Sequence, residues 1–540
     1  MQLQQFRHTQ EQPIGGPAGR HGMATLINLN PVIKDWYLLA LDWSDGTQAY
    51  YHLENAAPAA QTVTLDPGFK AGLMLTGGAE HHPCDLWGGR TLVEAAAKST
   101  PYAPLCNARL YLHNQARGQR TYLEAMVEFL RGHVWGGERL INTAKETVFR
   151  NAGREEAVLG GRTKSLPETA FMPAPARLNP SDAERQISRG TLGIAVAGRD
   201  DAPLAVGQWM PTRDLEGAFL SVIAPEAVVP VILSHHRDRA NSLDPEESSA
   251  LVYLIAFDLG RFDLGFGVGT DNPGVDWSPR PPDAVRGKDL PGPDGIDTVK
   301  PLITTGMIPP PDRARAMAAF TGGFKRYHGA FMYGDLALRN HGSHYGFIQE
   351  GVVLSKLQPG LATLYVLRDG SVHMHAWTEQ DNRRLAEVRY ARQNGVPLVE
   401  WSAAAGEPVP GALVSRWGAG NWSGSPEESL RTVRAGVCLQ RTPDTQFLIY
   451  GYFSNATPSA MARVFQAYGC HDAMQLDINA PILTYLAVYA DGGPGPAIQY
   501  LVQAMSEADQ KVRGRIVPRF LAVPDNRDFF YLTRHAGGPT

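Results

Sequence analysis

Short apolar runs separated by glycine, proline and aspartate are the feature that most restricts what this chain can fold into. The 540 residues include 56 Gly and 40 Pro, and both residue types favour turns. The runs between them have the length of strands and predict a turn-rich globular protein. No run approaches the roughly 20 apolar residues of a membrane helix, so no membrane span is expected. The strand candidates are Trp36–Leu41, Gln61–Leu65, Leu251–Phe257, Ala362–Leu367, Val372–Trp377 and Phe447–Tyr452.

The length of the chain predicts two domains, because one core usually serves about 100 to 200 residues. Residues 1–22 are polar, contain Gly and Pro, and predict a flexible N-terminus without an apolar signal core. Residues 23–185 are expected to form an α+β domain and a linker, with an amphipathic helix over Thr121–Val134. The second domain is expected over residues 186–540. Nothing in the first domain indicates a function.

Charge and cysteine content limit the partners and the cellular location expected for the protein. The formal net charge of −4, without a Lys/Arg block, argues against nucleic acid as a partner. The four cysteines form two pairs that are close in sequence, Cys84 with Cys106 and Cys438 with Cys470. Two intradomain disulfides would produce this pattern, as would four buried thiols. We favour the disulfides, and with them a periplasmic or secreted location. The oligomeric state is left open.

One helix and the strand after it are predicted by especially clear sequence signals. Thr457 can cap the helix, Pro458 suits its first position, and Gly469 can end it. A buried strand is expected at Ala473–Leu476, and polar residues follow it at Asp477 and Asn479. Strand ends commonly present polar groups to a ligand. The segment therefore marks a candidate functional site.

Several segments between residues 205 and 535, in this order, resemble the phosphodiester glycosidase family. They include Gly269–Trp277, Ala319–Lys325, Gly360–Thr363, Ala391–Asn394, Trp417-Gly418, Arg434–Gly436 and Asp472–Asn479. The resemblance implies an α/β or α+β domain built on a mixed sheet, and hydrolysis of a glycosidic or sugar-1-phosphodiester bond in an envelope or extracellular glycan. The chain departs from the family at Thr321, where the motif has Asn, and at Ile478–Pro481, where the signature has glycines.

Glycoside cleavage normally requires two carboxyl groups, one of which protonates the leaving oxygen. Phosphate is already a good leaving group, so cationic side chains can share that work. Asp477 is the first candidate carboxylate and Asp271 the second, although each could instead organise a turn. The remaining candidates form a cationic clamp (Lys325, Arg392, Arg434), a backbone cradle (Gly322, Gly323) and a set of sugar-binding groups (Gln393, Asn394, Asn479, Trp417).

Two other functions fit the same residues. The protein could be a non-catalytic protein of polysaccharide binding or assembly that kept the fold after its signature changed. It could also be a metal-dependent phosphodiesterase, which requires His341, His344, His373 or His375 to converge on one point. No cofactor is expected from a ligand motif, although oxygen atoms of Asp477 and Asn479 would suit a divalent cation.

Overall fold

A computed structural model of the protein describes residues 4–16, 19–120, 172–187, 191–198, 203–416, 429–490 and 497–535, and the backbone of 158–159. Within these ranges, residues 273, 279, 290, 291, 293–295, 327 and 332 are not described. The predicted helix Thr121–Val134 and Trp417 lie outside the described residues. None of the described helices is long and apolar enough to cross a membrane.

The first 113 residues form two antiparallel sheets around their own core. Leu39, Leu53, Leu73 and Leu110 are completely buried between these sheets. The six-stranded sheet runs, in spatial order, through His8–Gly15, His21–Asn28, Trp36–Trp43, Gln48–Asn55, Leu110–His113 and Tyr102–Leu105. The three-stranded sheet contains Thr62–Asp66, Phe69–Gly77 and Glu80–Asp85.

Three larger sheets form the framework of the remaining part of the chain that the structure describes. An eight-stranded sheet has the order Met210–Pro211, Ala218–Ile223, Val252–Asp258, Gln446–Ala456, Thr432–Arg441, Asp472–Ile478, Val399–Ser402 and Glu407–Pro410. The second, of five strands, has the order Phe262–Gly267, Phe529–Arg534, Ala316–Thr321, Leu486–Ala490 and Ala497–Tyr500. The third has the order Val352–Ser355, Phe347–Gln349, Val388–Gln393, Ala362–Leu367 and Val372–Ala376. Small sheets contain Val158–Leu159, Gln186–Ile187 and Leu204–Ala205, and Gln510–Val512 with Arg515–Val517.

Helices are few and short in the described part of the chain, which confirms the α+β class. Only the helix Pro458–Ala467 is completely buried along its length, and it packs beside the eight-stranded sheet. The α-helices are Thr91–Ala96, Pro230–Ser234, Pro245–Ser249, Pro310–Arg313, Gly334–Arg339 and Pro458–Ala467, and the 3₁₀-helices are Pro225–Ala227, Asp283–Val285, Glu379–Glu387 and Gln503–Ala508.

Each of the six predicted strands is present, with bounds that differ by a few residues from those expected. Both predicted disulfides, Cys84–Cys106 and Cys438–Cys470, are also present. The alanine-rich sequence of residues 311–320 predicts a helix, and this prediction is wrong. Ala316–Thr321 is a central strand, paired on both sides and buried at every residue. Tertiary packing here overrides the helix propensity of alanine.

The N-terminal sheets contact the rest of the protein through buried polar groups. Arg389 bridges Asp35 and Glu350, with N···O distances of 3.2 and 2.6 Å. Residues 172–187 already belong to the C-terminal packing, since Ala176 lies in the large core and Arg177 N donates to Ala467 O. The boundary near residue 185 stays a prediction.

Candidate functional site

The strand Asp472–Ile478 places Asp477 beside two neighbouring strands. Thr457 accepts a hydrogen bond from Ala460 N at 3.2 Å and caps the preceding helix, as predicted. Gly469, with φ of +65°, then turns the chain into the strand. Ile478 pairs with Arg434 in the adjacent strand, so Asp477 lies one residue before the end of the ladder. Its carboxylate is only 6% exposed.

A charged segment just before the strand Phe529–Arg534 supplies the partners of Asp477. Arg527 forms a buried ion pair with Asp477, and Asp477 Oδ1 also accepts the Ile478 N–H at 2.9 Å. The segment is anchored at Asp525, whose carboxylate binds Arg519 at 2.7 and 2.8 Å. Asp477 is therefore a paired carboxylate whose two oxygens are both engaged within the protein.

Asp271 lies next to the same segment and is the more accessible carboxylate. Arg120 Nη2 donates to both of its oxygens at 2.8 Å, and Asn526 Nδ2 donates to Oδ2 at 3.2 Å. Lys325 Nζ lies 3.4 Å from Oδ2. Asp271 is 29% exposed and Arg120 is 43% exposed. We refer to Asp271, Arg120, Lys325, Asn526, Arg527 and Asp477 as the Asp271 cluster.

The Asp271 cluster combines three cations with two carboxylates, so its side chains carry an excess of positive charge. Asn526 and Arg527 are consecutive, and they bind Asp271 and Asp477 respectively. The two predicted carboxylates are thereby brought to one short segment. Because Asp477, Arg527 and Lys325 are buried and Asp271 and Arg120 are partly exposed, a ligand would reach Asp271 and Arg120 first. The sequence ranks Asp477 as the first candidate carboxylate and Asp271 as the second. Solvent exposure favours the opposite ranking, because Asp271 is the more exposed of the two.

Gly322 and Gly323 do not form the predicted backbone cradle. Gly322 N donates to Asp528 O at 2.7 Å, and Phe324 N donates to Asn394 Oδ1 at 3.0 Å. Gly323 has a φ of +126°, and a Cβ at this position would lie 2.7 Å from Asn394 Cγ. The glycines allow close packing inside the protein and leave the N–H groups of Gly322 and Phe324 bound to protein acceptors.

Arg392, Gln393 and Asn394 are completely buried, and their assignment to substrate binding stays a prediction. Arg392 lies between Phe324 O, to which it donates, and Asp528, whose Oδ2 is 3.2 Å from Nε. Gln393 ties the chain at Gly346 and at Gln358, and Asn394 Nδ2 donates to the carbonyls of Gln475 and Leu476 at 2.7 and 3.0 Å. The polar groups of these side chains are hydrogen-bonded inside the protein and hold the neighbouring loops in place.

Arg434, predicted as a clamp, is also completely buried. Its guanidinium donates to Ala456 O, Gln475 Oε1 and Leu430 O at 2.7 to 2.9 Å. Burial lowers the pKa of Arg434 to about 9, and Glu247 opposes that shift. The arginine therefore braces the edge of the strand next to Asp477.

Asn479 is half-buried directly after the strand and adopts a left-handed backbone, with φ of +88°. Its N–H donates to Val433 O at 2.8 Å, so it closes the turn. A divalent cation on Asp477 would have to displace Arg527. In the described part of the chain, no group of three or more His, Cys, Asp or Glu side chains could hold a metal ion.

Of the histidines considered for a metal site, His373 and His375 share one strand and have different hydrogen-bond partners, and His344 lies outside that strand. His373 bonds to Ser371 and His375 to Asp381 on the third sheet. His344 is buried near Arg326, and burial, with Arg326 adding to it, holds the pKa of His344 well below 6.5. The convergence required by a metal-dependent phosphodiesterase is not found among the described residues.

Comparisons with known proteins add little to these observations. No family model matches the chain, and no curated protein matches it. A solved structure of a hypothetical protein from Synechocystis aligns with 93% of this chain and 97% of that chain, at 10% sequence identity and a TM-score of 0.25. At that score the likeness carries no argument. The resemblance to phosphodiester glycosidases stays a prediction.

The sequence interpretation missed Asn526, Arg527 and Arg120. A usable signal was present at Asp525–Asp528, where four polar residues directly precede an apolar strand, although only polar residues after a strand had been singled out. Arg120 carries no comparable pattern, since its role depends on a contact with a residue 151 positions away.

Proposed function

We propose that the protein hydrolyses a phosphodiester-linked sugar at the Asp271 cluster. The observation that carries the proposal is the meeting of two carboxylates, Asp271 and Asp477, on the consecutive residues Asn526 and Arg527. The excess positive charge suits an anionic substrate. The sequence resemblance to phosphodiester glycosidases points to the same class of bond.

In the proposed reaction, water attacks the anomeric carbon, and the bond from that carbon to the phosphate oxygen breaks with its electron pair leaving on phosphate. Asp271 accepts the proton released by the water, since it is the carboxylate that solvent reaches. Lys325 and Arg120 stabilise the negative charge that develops on the departing phosphate. Asp477 and Arg527 act as positioning residues, because their buried ion pair fixes the segment that carries Asn526.

A phosphodiester is favoured over an ordinary glycoside by the surroundings of the two carboxylates. An alcohol leaving group requires a protonated carboxyl close to the bond. Asp477 is paired with Arg527, an arrangement that favours the carboxylate form, and Asp271 is surrounded by donors. A phosphate leaving group needs cations that stabilise its negative charge, and it does not need a general acid. The two disulfides fit a periplasmic or secreted enzyme.

The variant Asp271→Asn tests the proposed role of Asp271. Loss of the proton acceptor should reduce kcat by about 10² to 10⁴ on a methyl sugar-1-phosphate diester, chosen from a panel of hexoses and N-acetylhexosamines. Asp276→Asn is the matched control, since Asp276 lies exposed in the same loop and should leave kcat unchanged. Circular dichroism and thermal unfolding should show that both variants fold.

Equal turnover by wild type and Asp271→Asn would refute the catalytic role of Asp271. If the wild-type protein binds these diesters by calorimetry but cleaves none of them, the rival hypothesis of a non-catalytic glycan-binding protein is favoured. Asp477→Asn should also lower activity, but with a loss of stability that Asp271→Asn does not show, because it leaves Arg527 buried without its partner.

A further inference from the structure

A cavity of about 430 Å³ lies where two β-hairpins meet, away from the Asp271 cluster. One hairpin turns at residues 368–371 and the other at residues 442–445, and Leu259-Gly260 closes a third side. Its polar lining is formed by Ser371, His373, Arg441, Thr445 and Gln446. The volume falls within the range of small-molecule sites.

The cavity and the Asp271 cluster occupy opposite ends of one strand. Arg441 ends the strand Thr432–Arg441, whereas Arg434, near its start, pairs with Ile478 beside Asp477. Seven residues of a strand span roughly 20 Å. A ligand in the cavity would therefore not touch the Asp271 cluster, and a function there is independent of the proposed hydrolysis.

Arg441 supplies positive charge to the cavity lining. Arg441 is exposed, and no ion pair joins it to a carboxylate within the described residues. Of the carboxylates around it, Asp444 is exposed in the hairpin turn, and Asp472, which Arg441 attracts, is paired with His471. Asp258 accepts from Thr445 Oγ1 at 2.6 Å and Gly260 N at 2.9 Å, and Asp369 accepts from Ser371 N at 3.0 Å. Arg441 therefore presents its guanidinium to the cavity.

Ser371 orients His373 toward the same space. The Ser371 hydroxyl lies 2.6 Å from Asp369 Oδ1 and donates to it, so its oxygen accepts from His373 Nε2 at 3.0 Å. That contact places a proton on Nε2. The imidazole ring is held by stacking on Tyr365, with ring centroids 5.1 Å apart. With Nε2–H engaged by Ser371, His373 can donate to an oxyanion through Nδ1 when the ring is protonated, beside the guanidinium of Arg441.

We propose that this cavity binds the oxyanion group of a phosphorylated or sulfated sugar, with Arg441 and His373 as the anion-binding residues. Arg441 supplies a planar pair of donors that matches two oxygens of a phosphate or sulfate group. The volume beyond the arginine leaves room for one sugar ring. Leu259 and Val372 provide apolar surface for the ring face.

Protonation of His373 would strengthen such binding. Burial lowers the pKa of His373 below 6.5, Arg384, Arg441 and His375 lower it further, and Asp369 opposes them. A bound anion offsets the cations and favours the protonated ring. Binding should therefore take up a proton and become tighter as the pH falls through this range.

The test is calorimetric titration of the full chain with glucose 6-phosphate, glucose 6-sulfate and glucose. Both esters are expected to bind and glucose is not; whichever ester binds more tightly identifies the source of the oxyanion. Arg441→Gln should weaken ester binding about ten- to a hundredfold. Arg383→Gln is the matched control, because it removes one exposed arginine charge that is not part of the cavity lining, and it should bind like the wild type.

The sulfate ester distinguishes protonation of His373 from protonation of the ligand. A sulfate monoester keeps a charge of about −1 between pH 5.5 and 7.5, because it is a strong acid. Wild type should bind it more tightly at the lower pH, and His373→Gln should lose that dependence. The proposal is overturned if neither ester binds up to about 10 mM, if Arg441→Gln and Arg383→Gln bind equally, or if His373→Gln keeps the pH dependence.

Discussion

Gly323→Ala should destabilise the protein, because Gly323 is confined by Asn394 on one side and by its own backbone on the other. Alanine at a φ of +126° is strained, at a cost of about 1 to 2 kcal/mol. Its Cβ would also lie 2.7 Å from both Cγ and Oδ1 of Asn394. Asn394 cannot withdraw without loss, since its amide holds Phe324 N, Gln475 O and Leu476 O.

Each of those three hydrogen bonds contributes about 0.5 to 1.5 kcal/mol. With the backbone strain, Gly323→Ala should lower the free energy of unfolding by about 2 to 5 kcal/mol. Equilibrium urea unfolding followed by tryptophan fluorescence measures the change as a lower midpoint.

Gly370→Ala is the matched control for backbone strain alone. Gly370 has a φ of +84°, and a Cβ there would meet nothing within 4 Å. Its cost should be about 1 kcal/mol. The interpretation of Gly323 as a packing residue is refuted if the two variants lose the same stability. It is also refuted if Gly323→Ala folds normally but loses sugar or phosphate binding, which would restore the predicted cradle.

Two further predictions concern stability. Replacing Cys438 and Cys470 together by Ser, which opens a loop with a sequence separation of 32, should cost about 3 to 4 kcal/mol in urea unfolding, and an unchanged midpoint would show that the link is not formed. Burial, then Glu350 and Glu54, raise the pKa of Asp35 above 3.8, and Arg389 opposes them. The stability of wild type relative to Asp35→Asn should therefore fall as pH rises above 3.8; a difference that grows with pH would contradict this sign.

Local sequence signals predicted those elements whose structure depends on neighbouring residues. The helix Pro458–Ala467 begins at a threonine cap followed by proline and ends before Gly469, and each of these signals acts within one or two turns. The strand Val252–Asp258 was visible as an apolar run. Ala316–Thr321 was missed because its alanines favour a helix, whereas its neighbours Phe529–Arg534 and Leu486–Ala490 come from about 170 or more residues away.

The candidate site was predictable only in part, for the same reason. Asp477, Asp271 and Lys325 were candidates for hydrolysis because of their carboxylate and ammonium groups. The structure places Asp271 and Lys325 in contact. Sequence cannot report the burial of a polar residue in or next to a strand, and so Arg392, Asn394 and Arg434 looked as accessible as Asp271. Whether such a residue binds a ligand or braces the fold depends on its long-range partners, such as Asp528 for Arg392.

The most direct test of the proposed hydrolysis is the position of the new oxygen when a sugar-1-phosphate diester is cleaved in ¹⁸O-labelled water. Attack at the anomeric carbon, next to Asp271, predicts that the label enters the released sugar and that the phosphate monoester stays unlabelled. Mass spectrometry of the sugar and ³¹P NMR of the phosphate distinguish the two products. Label in the phosphate would show cleavage of the phosphorus–oxygen bond and would contradict a glycosidase.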